Sequence, residues 1–501
     1  KIKGIEHSEN GYIKNAIIPG VNGSPPKFQS LQSSFIMASH SEDKYDMEKT
    51  AHNTSQNGDV VASNTIEHDA VFGEITEDGP NYRNVGWIGT TALMMKTQIG
   101  LGVLSMPAVF HTLGLIPGII LLIVIAAMTT WSDYIVGVFK LKHRHVYGID
   151  DVGRMLFGRI GYEVFGAMYA LYFTFVSGSA MLSISVALNA LSEHGACTAI
   201  FVAIAAVVTF CVSSIQTLGR ISWIAWVGAA CIIVAVFVVT IAVGLQDRPA
   251  AAPQELGPWK SDYNLVSHPS FSDAVSAVST LVFTYAGTPA FFNIVSEMRD
   301  PLMYTRALTI CQVTVTVVYI IVGTIMYYFC GSYVASPAIG SAGPLLKKVG
   351  YGIALPGLLG SAILLGHLPA KHIFIRLLRG TKHLTANTTI HWVTWIGSTA
   401  TVSIVAYVIA SGIPVFGGLV SLIGALFGTF LSLQPMGCMW LYDHWKDERN
   451  TRWYLMVGWS VFIIVSGTFL MVAGTYGSIV GIINSPERTG AWSCADNSNS
   501  T

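Results

Sequence analysis

Nine stretches of this chain contain no Asp, Glu, Lys or Arg, among them 97–132, 164–192, 307–346 and 383–442. A hydrocarbon core about 30 Å thick is crossed by about 20 mostly apolar helical residues. The longer stretches therefore hold two crossings each, divided by turns such as Gly412-Ile413-Pro414. The spacing predicts about eleven spans, near 85–110, 113–139, 160–190, 197–217, 222–244, 271–297, 305–330, 350–376, 389–411, 414–441 and 453–480, numbered 1 to 11 below. The runs are continuously apolar. A β-barrel would alternate over about ten residues, so the expected fold is an all-α polytopic membrane protein. Composition agrees. Only 11% of residues are charged, whereas a water-exposed surface needs roughly a quarter to a third. Equal numbers of basic and acidic residues, 28 each, argue against a nucleic-acid partner. With 7 Cys in 501 residues, the chain is no disulfide scaffold.

Residues 1–84 differ from the rest. They hold 7 basic and 12 acidic residues and no long apolar run, a composition expected to stay disordered. Without a secretory apolar segment, span 1 itself is expected to direct insertion, and Met37 is a candidate start. Lys and Arg near span ends set orientation. With the N-terminal tail taken as cytosolic, fifteen fall on its side between Lys140 and Arg452, against five on the other side, Arg248, Lys260, Lys347, Lys348 and Arg488. This predicts the N-terminus inside, an odd number of spans, and residues 481–501 as an extracytosolic tail. Trp131, Trp223, Trp226, Trp392, Trp395, Trp440 and Trp453 fall near span ends, as an aromatic belt requires. Cys197 and Cys330 are both placed near the outer face, as a disulfide or as two free thiols. Cys211, Cys231, Cys311 and Cys438 read as packing residues in mid-span. Asn499-Ser500-Thr501 is an external glycosylation triplet, while Asn22, Asn53 and Asn387 match the pattern on the cytosolic side.

Two spans carry Gly and Pro near mid-membrane. Span 1 reads Lys96-Thr97-Gln98-Ile99-Gly100-Leu101-Gly102-Val103-Leu104-Ser105-Met106-Pro107, and span 6 reads Phe283-Thr284-Tyr285-Ala286-Gly287-Thr288-Pro289. Taken singly, the glycines read as close-packing residues and the prolines as kinks. Gly424, Gly428, Gly477 and Gly481 are better read as packing contacts. Taken together, the breaks fall in the first and sixth spans, which cross in opposite directions. Paired interrupted segments at matching places in two halves point to a transport site. The half-helix beginning near Gly102 offers N–H groups and a positive dipole end to a carboxylate. The half-helices ending near Ile99 and Thr284 offer carbonyls to an ammonium group. Such a pair fits a zwitterion, a free α-amino acid. Neither break contains a charged residue, which favours neutral side chains in a pocket shaped by Phe283, Tyr285 and Ala286. Tyr172, halfway through span 3, reads either as a cap on the carboxylate or as a packed aromatic.

The segment from Asn84-Val85-Gly86-Trp87 to Pro107 resembles the first-span signature of the amino acid/auxin permease family, and most closely the fungal neutral amino-acid permeases. Phe283-Thr284-Tyr285-Ala286-Gly287 through Ser296-Glu297-Met298-Arg299-Asp300-Pro301 is similar to a second family signature. His367-Leu368-Pro369-Ala370-Lys371, with Arg376, Arg379-Gly380 and His391-Trp392, resembles the fungal branch. The likeness covers residues 84–480. It implies a leucine-transporter-like fold of five plus five inverted helices and one extra span, with uptake of neutral, aliphatic or aromatic amino acids, usually with protons. It also implies that Ile99, Gly100, Leu101, Gly102, Phe283, Thr284, Tyr285, Ala286 and Gly287 hold the substrate. The family varies in coupling ion and membrane, so vacuolar export and sodium coupling stand as alternatives to proton-coupled uptake at the plasma membrane. No cofactor is implied.

Lys96 is the ionisable residue placed deepest. It lies about 16 Å into span 1 at ~1.5 Å per residue, one helical turn before Gly100. A charge at that depth costs at least ~2.5–3.5 kcal/mol. It reads either as a group that couples a proton or stands in for a sodium ion, or as a structural lysine bonded to carbonyls of the break. Glu297, where span 6 leaves the membrane, reads as a cytosolic gate or as an interfacial carboxylate. Asp133 and Glu163 are expected near the cytosolic surface among Lys and Arg, as anchors. His367 reads as a hydrogen-bonded core histidine more readily than as an ion ligand, and His143-Arg144-His145 as a solvated cluster. No His-Glu-x-x-His pair or Gly-x-Ser-x-Gly elbow is present, so a membrane enzyme is not expected.

Overall fold

The computed structural model describes residues 67–69, 73–75, 85–216, 218–249, 251–253, 259–384, 386–485 and 490–498. Two three-residue strands come first: β1 (Glu67–Asp69) pairs antiparallel with β2 (Gly73–Ile75). This hairpin lies inside the stretch whose composition predicts disorder. Met37, Asn22, Asn53 and Asn499 lie outside the described residues.

Everything else is helical. In chain order the helices are α1 (Trp87–Ile99), α2 (Gly102–Leu113), α3 (Leu115–Lys142), α4 (Ile149–Ser192), α5 (Thr198–Ser213), α6 (Leu218–Leu245), α7 (Phe271–Tyr285), α8 (Thr288–Ser296), α9 (Tyr304–Cys330), α10 (Pro344–Leu378), α11 (Thr389–Gly412), α12 (Phe416–Ile423), α13 (Thr429–Ser432), α14 (Gln434–His444) and α15 (Thr451–Asn484). Helices lie over all eleven expected segments. Among the described residues, nine are long and apolar enough to cross a membrane alone. The α1–α2 pair would make a tenth as one span bent by 41°, and α5 is a shorter apolar helix.

Span 6 (α7 and α8) and α4 sit at the centre. The most apolar window is 89% buried for Phe271–Ser296 and 83% for Ile149–Ser192, against 22% for Thr451–Asn484. Outer helices instead expose Leu245, Val393 and Val472, the surface that hydrocarbon would cover.

Three local features depart from the sequence reading. Residues 149–157, expected as loop, form a helical turn-pair ahead of Gly158. Gly158 adopts φ 66°, ψ −149°, a conformation essentially reserved for glycine, and it splits α4 there. Span 10 is not one continuous helix: a wide turn at Gly424–Gly428 follows α12, and Leu433 (φ −115°, ψ −60°) separates α13 from α14. The belt also fails at Trp395, which is 1% exposed and donates its indole N–H to Ser214 O at 2.6 Å.

The cysteine pairing differs as well. Cys197 bonds Cys494, with Cα atoms 4.4 Å apart, and Cys330 is a buried free thiol. The C-terminal tail folds back over the start of α5, where Asn497 meets Asn189. Cys494 thereby reaches a site that Cys330, held in α9, does not. Cys211, expected to pack, is exposed. Thiol labelling checks the pairing. Cys197→Ser and Cys494→Ser should each release one extra reactive thiol, and Cys330→Ser none. A new thiol in Cys330→Ser would move the bridge to Cys330.

Candidate functional site

Both interrupted spans are interrupted where the sequence places them. Span 1 breaks at Gly100 (φ −56°, ψ −85°), and α2 begins at Gly102. Span 6 breaks at Ala286 (φ −76°, ψ 43°), and α8 begins at Thr288. Pro289 sits in the first turn of α8, where its missing N–H costs nothing. Pro107 instead lies inside α2 and does not make the break.

The two breaks pack directly on each other. A Cβ on Gly102 would lie 3.0 Å from Thr284 Cβ and 2.6 Å from the Tyr319 hydroxyl. One on Gly287 would lie 2.6 Å from Thr97 Oγ1, and one on Gly100 would lie 2.5 Å from Ser361 Oγ. Distances below 3.0 Å cannot persist without a shift, so the three glycines allow the close approach.

Side chains of the span 6 break fan out to different neighbours. Thr284 faces span 1. Tyr285 turns to span 7 (α9), where its hydroxyl donates to Thr316 Oγ1 at 3.0 Å and its ring meets Tyr319 edge-on at 5.4 Å. Phe283 and Ala286 face the wide turn of span 10 at Gly424 and Gly428. Ile99, Leu101, Phe283, Thr284, Tyr285 and Ala286 are all buried.

The freed carbonyls have partners that the sequence did not reveal. Tyr319 Oη of α9 lies 2.8 Å from Gln98 O and 3.0 Å from Thr284 O. One phenol thus bridges the ends of the half-helices of spans 1 and 6. Tyr172 Oη donates to Ala286 O, so this tyrosine stands on the break itself. Lys96 is fully buried and donates from Nζ to Gly357 O of span 8 (α10) at 2.7 Å, an oxygen that also accepts from Ser361 Oγ at 3.1 Å. Gly228 of α6 leaves room for its Cε. His367 is buried, sits 3.2 Å from Ser213 O through Nδ1 and stacks edge-on against Trp395, as a core histidine does.

The two ends of the site differ. A cavity of about 410 Å³ lies toward the end where α2 finishes, lined by Ser105, Val109, His111, Ala277 and Thr280, with His268 and Asp273 at its rim. The opposite end, where α1 begins and the basic residues cluster, is crossed by ion pairs and backbone hydrogen bonds. Glu297 and Lys371 form a buried ion pair at 2.6 Å between the exit of span 6 and α10. Val85 N donates to Glu297 O at 3.1 Å, and Arg299 N donates to Val85 O at 2.9 Å. Arg379 pairs with Asp151 at 2.8 Å, and His143 with Asp443 at 2.8 Å. Glu163 pairs with Arg376, as an anchor would. Asp133 does not: it is fully buried.

A family profile described as transmembrane amino acid transporter protein matches residues 83–480. The chain belongs to this family. It is 32% identical over 448 residues to a transmembrane transporter of Gibberella moniliformis, covering 88% of this chain and 94% of that one. It is 28% identical over 418 residues to the N amino acid transport system protein of Neurospora crassa, covering 82% and 88%. Among solved structures, a Na⁺-coupled sialic acid symporter in its substrate-bound outward-open state matches 82% of this chain and 92% of that chain, at 13% identity and a TM-score of 0.51. The fold is that of the leucine transporter, and the family and fold are those of transporters rather than enzymes.

Tyr319, Ser361, Gly357 and Lys371 went unrecognised in the sequence as parts of the site. Only Lys371, a cation at the end of an apolar run, left a visible signal. Two tests follow from the geometry. Gly100→Leu, which drives a side chain into Ser361, should insert normally in this transporter and carry no substrate; ordinary uptake would remove Gly100 from the site. Removing one partner of a buried ion pair costs about 3–5 kcal/mol. Glu297→Gln or Lys371→Met should therefore loosen the closed end and accelerate alkylation of Asn293→Cys. An unchanged alkylation rate would show that the pair does not hold this end shut.

Proposed function

We propose that this transporter imports neutral aliphatic and aromatic L-amino acids by proton symport, alternating access about the paired breaks. The single observation that carries the reading is the direct contact of the breaks, Gly102 on Thr284 and Gly287 on Thr97. It brings the start of α2 and the ends of α1 and α7 to one place. The start of α2 suits the carboxylate. Each carbonyl oxygen has two lone pairs, so Gln98 O and Thr284 O can accept from an ammonium group as well as from Tyr319. Phe283 and Ala286, facing the wide turn of span 10, supply an apolar wall for an uncharged side chain. The name of the Neurospora relative, an N amino acid transport system protein, supports an amino-acid substrate.

In this reading the basic end faces the cytosol, with the N-terminus inside and residues 481–501 outside. The cavity is then an external vestibule, and Glu297–Lys371 is the cytosolic gate. Lys96 is the fixed cation between span 1 and span 8. It takes by its own charge the place of a metal cation, so sodium is not needed. The plasma membrane is the favoured location.

Uptake of labelled amino acids into vesicles, with a competition panel and a proton uncoupler, tests the reading. Neutral aliphatic and aromatic amino acids should compete, and arginine and aspartate should not. The uncoupler should abolish accumulation, and replacing sodium should change nothing. Lys96→Met should lose accumulation. Failure of every amino acid to show saturable uptake would overturn the proposal.

A further inference from the structure

Asp133 is an intramembrane carboxyl with no structural explanation. It lies on α3 nine residues before Lys142, about 13 Å along the axis at ~1.5 Å per residue, and is 0% exposed. Gln312 Nε2 of α9 donates to Oδ2 at 2.5 Å. Oδ1 has no hydrogen-bond partner. The Thr288 hydroxyl lies beside the same carboxyl, within reach of a hydrogen bond to it, and Gln312 Oε1 has no partner. Around the group stand Tyr304, whose hydroxyl donates to Asp133 O at 2.8 Å, and the buried thiol Cys311. Other charged groups on the faces of α3 are turns away: Lys140 bonds Ser296 of α8, and Lys142 and His143 face Asp443 of α14. Among the described residues no cation pairs with Asp133.

We infer that Asp133 is the proton-carrying group of the transport cycle, acting on the substrate site through Thr288. The inference rests on the proton-symport reading above. A buried anion with no cation to pair with it is costly. A proton on Oδ1 removes that cost and can be donated to either vacant acceptor, Thr288 Oγ1 or Gln312 Oε1. When the proton leaves, the bond reverses and Thr288 donates to Oδ1. Thr288 is the first residue of α8 and follows directly on the Ala286–Gly287 break. Reversing its hydrogen bond therefore acts on the backbone proposed to hold the substrate. The proton is taken from water on the vestibule side and returned to water on the basic side, so charge and atoms balance without another reactant.

The test uses the full-length transporter in proteoliposomes, with a pH dye and a labelled neutral amino acid. Asp133→Asn should exchange internal for external substrate yet neither accumulate it nor acidify the lumen, and Asp133→Glu should restore part of both. Accumulation with luminal acidification in Asp133→Asn overturns the inference, as does acidification lost in Lys96→Met but kept in Asp133→Asn. Should Asp133→Asn not reach the membrane, Gln312→Leu decides. It removes the Gln312 donor to the anion and leaves only Thr288, so the loss of uptake at rising pH should move to more alkaline values. An unmoved pH profile refutes the role. A wild-type protein that transports amino acids without acidification defeats the symport reading instead, and one that transports none defeats both.

Discussion

A peptide N–H or C=O with no partner in hydrocarbon costs several kcal/mol, and that penalty governs how this molecule can be built. Two central spans give up helical hydrogen bonds at mid-membrane, so other side chains must compensate. Tyr319 does so for Gln98 O and Thr284 O together, and Tyr172 for Ala286 O. The bonds come from spans 7 and 3, so each break is supported by a helix other than its partner. On the proposed reading, a ligand entering here would meet backbone held in place beforehand, which lowers the ordering cost of binding.

Close approach is the second requirement, and small residues supply it. Gly102, Gly287 and Gly100 each sit where a methyl group would strike a neighbour. Gly424 does the same against the backbone of α7 near Ser279, in the wide turn of span 10. Phe283 and Ala286 then meet this turn rather than a regular helical face.

The sequence made the broad architecture legible because charge is so costly in lipid that its absence marks every span. The breaks were legible too, since Gly and Pro at matching depth have few other reasons to coincide. What supports the breaks was not legible. Tyr319 looks like any aromatic of an apolar helix, and only the fold shows its hydroxyl between two carbonyls. Asp133 was misplaced because it falls toward a span end rich in Lys and Arg, whereas α9 and α8 close over it. Cys494 could not be assigned, because a tail without apolar pattern gives no clue to where it folds back.

The asymmetry of the two ends joins these points. One end keeps a cavity of about 410 Å³ whose lining includes the hydroxyls of Ser105 and Thr280 and the imidazole of His111. The other is spanned by Glu297 and Lys371, proposed above as its gate, whose side chains are 1% and 3% exposed. A buried ion pair roughly balances its own desolvation, so it holds an end shut without making that state irreversibly deep. Opening hydrates both charges and recovers much of the lost attraction. A hydrophobic plug of the same size would gain nothing from water on opening. An ionic closure therefore keeps the closed and open forms near in free energy, as a protein that must visit both requires.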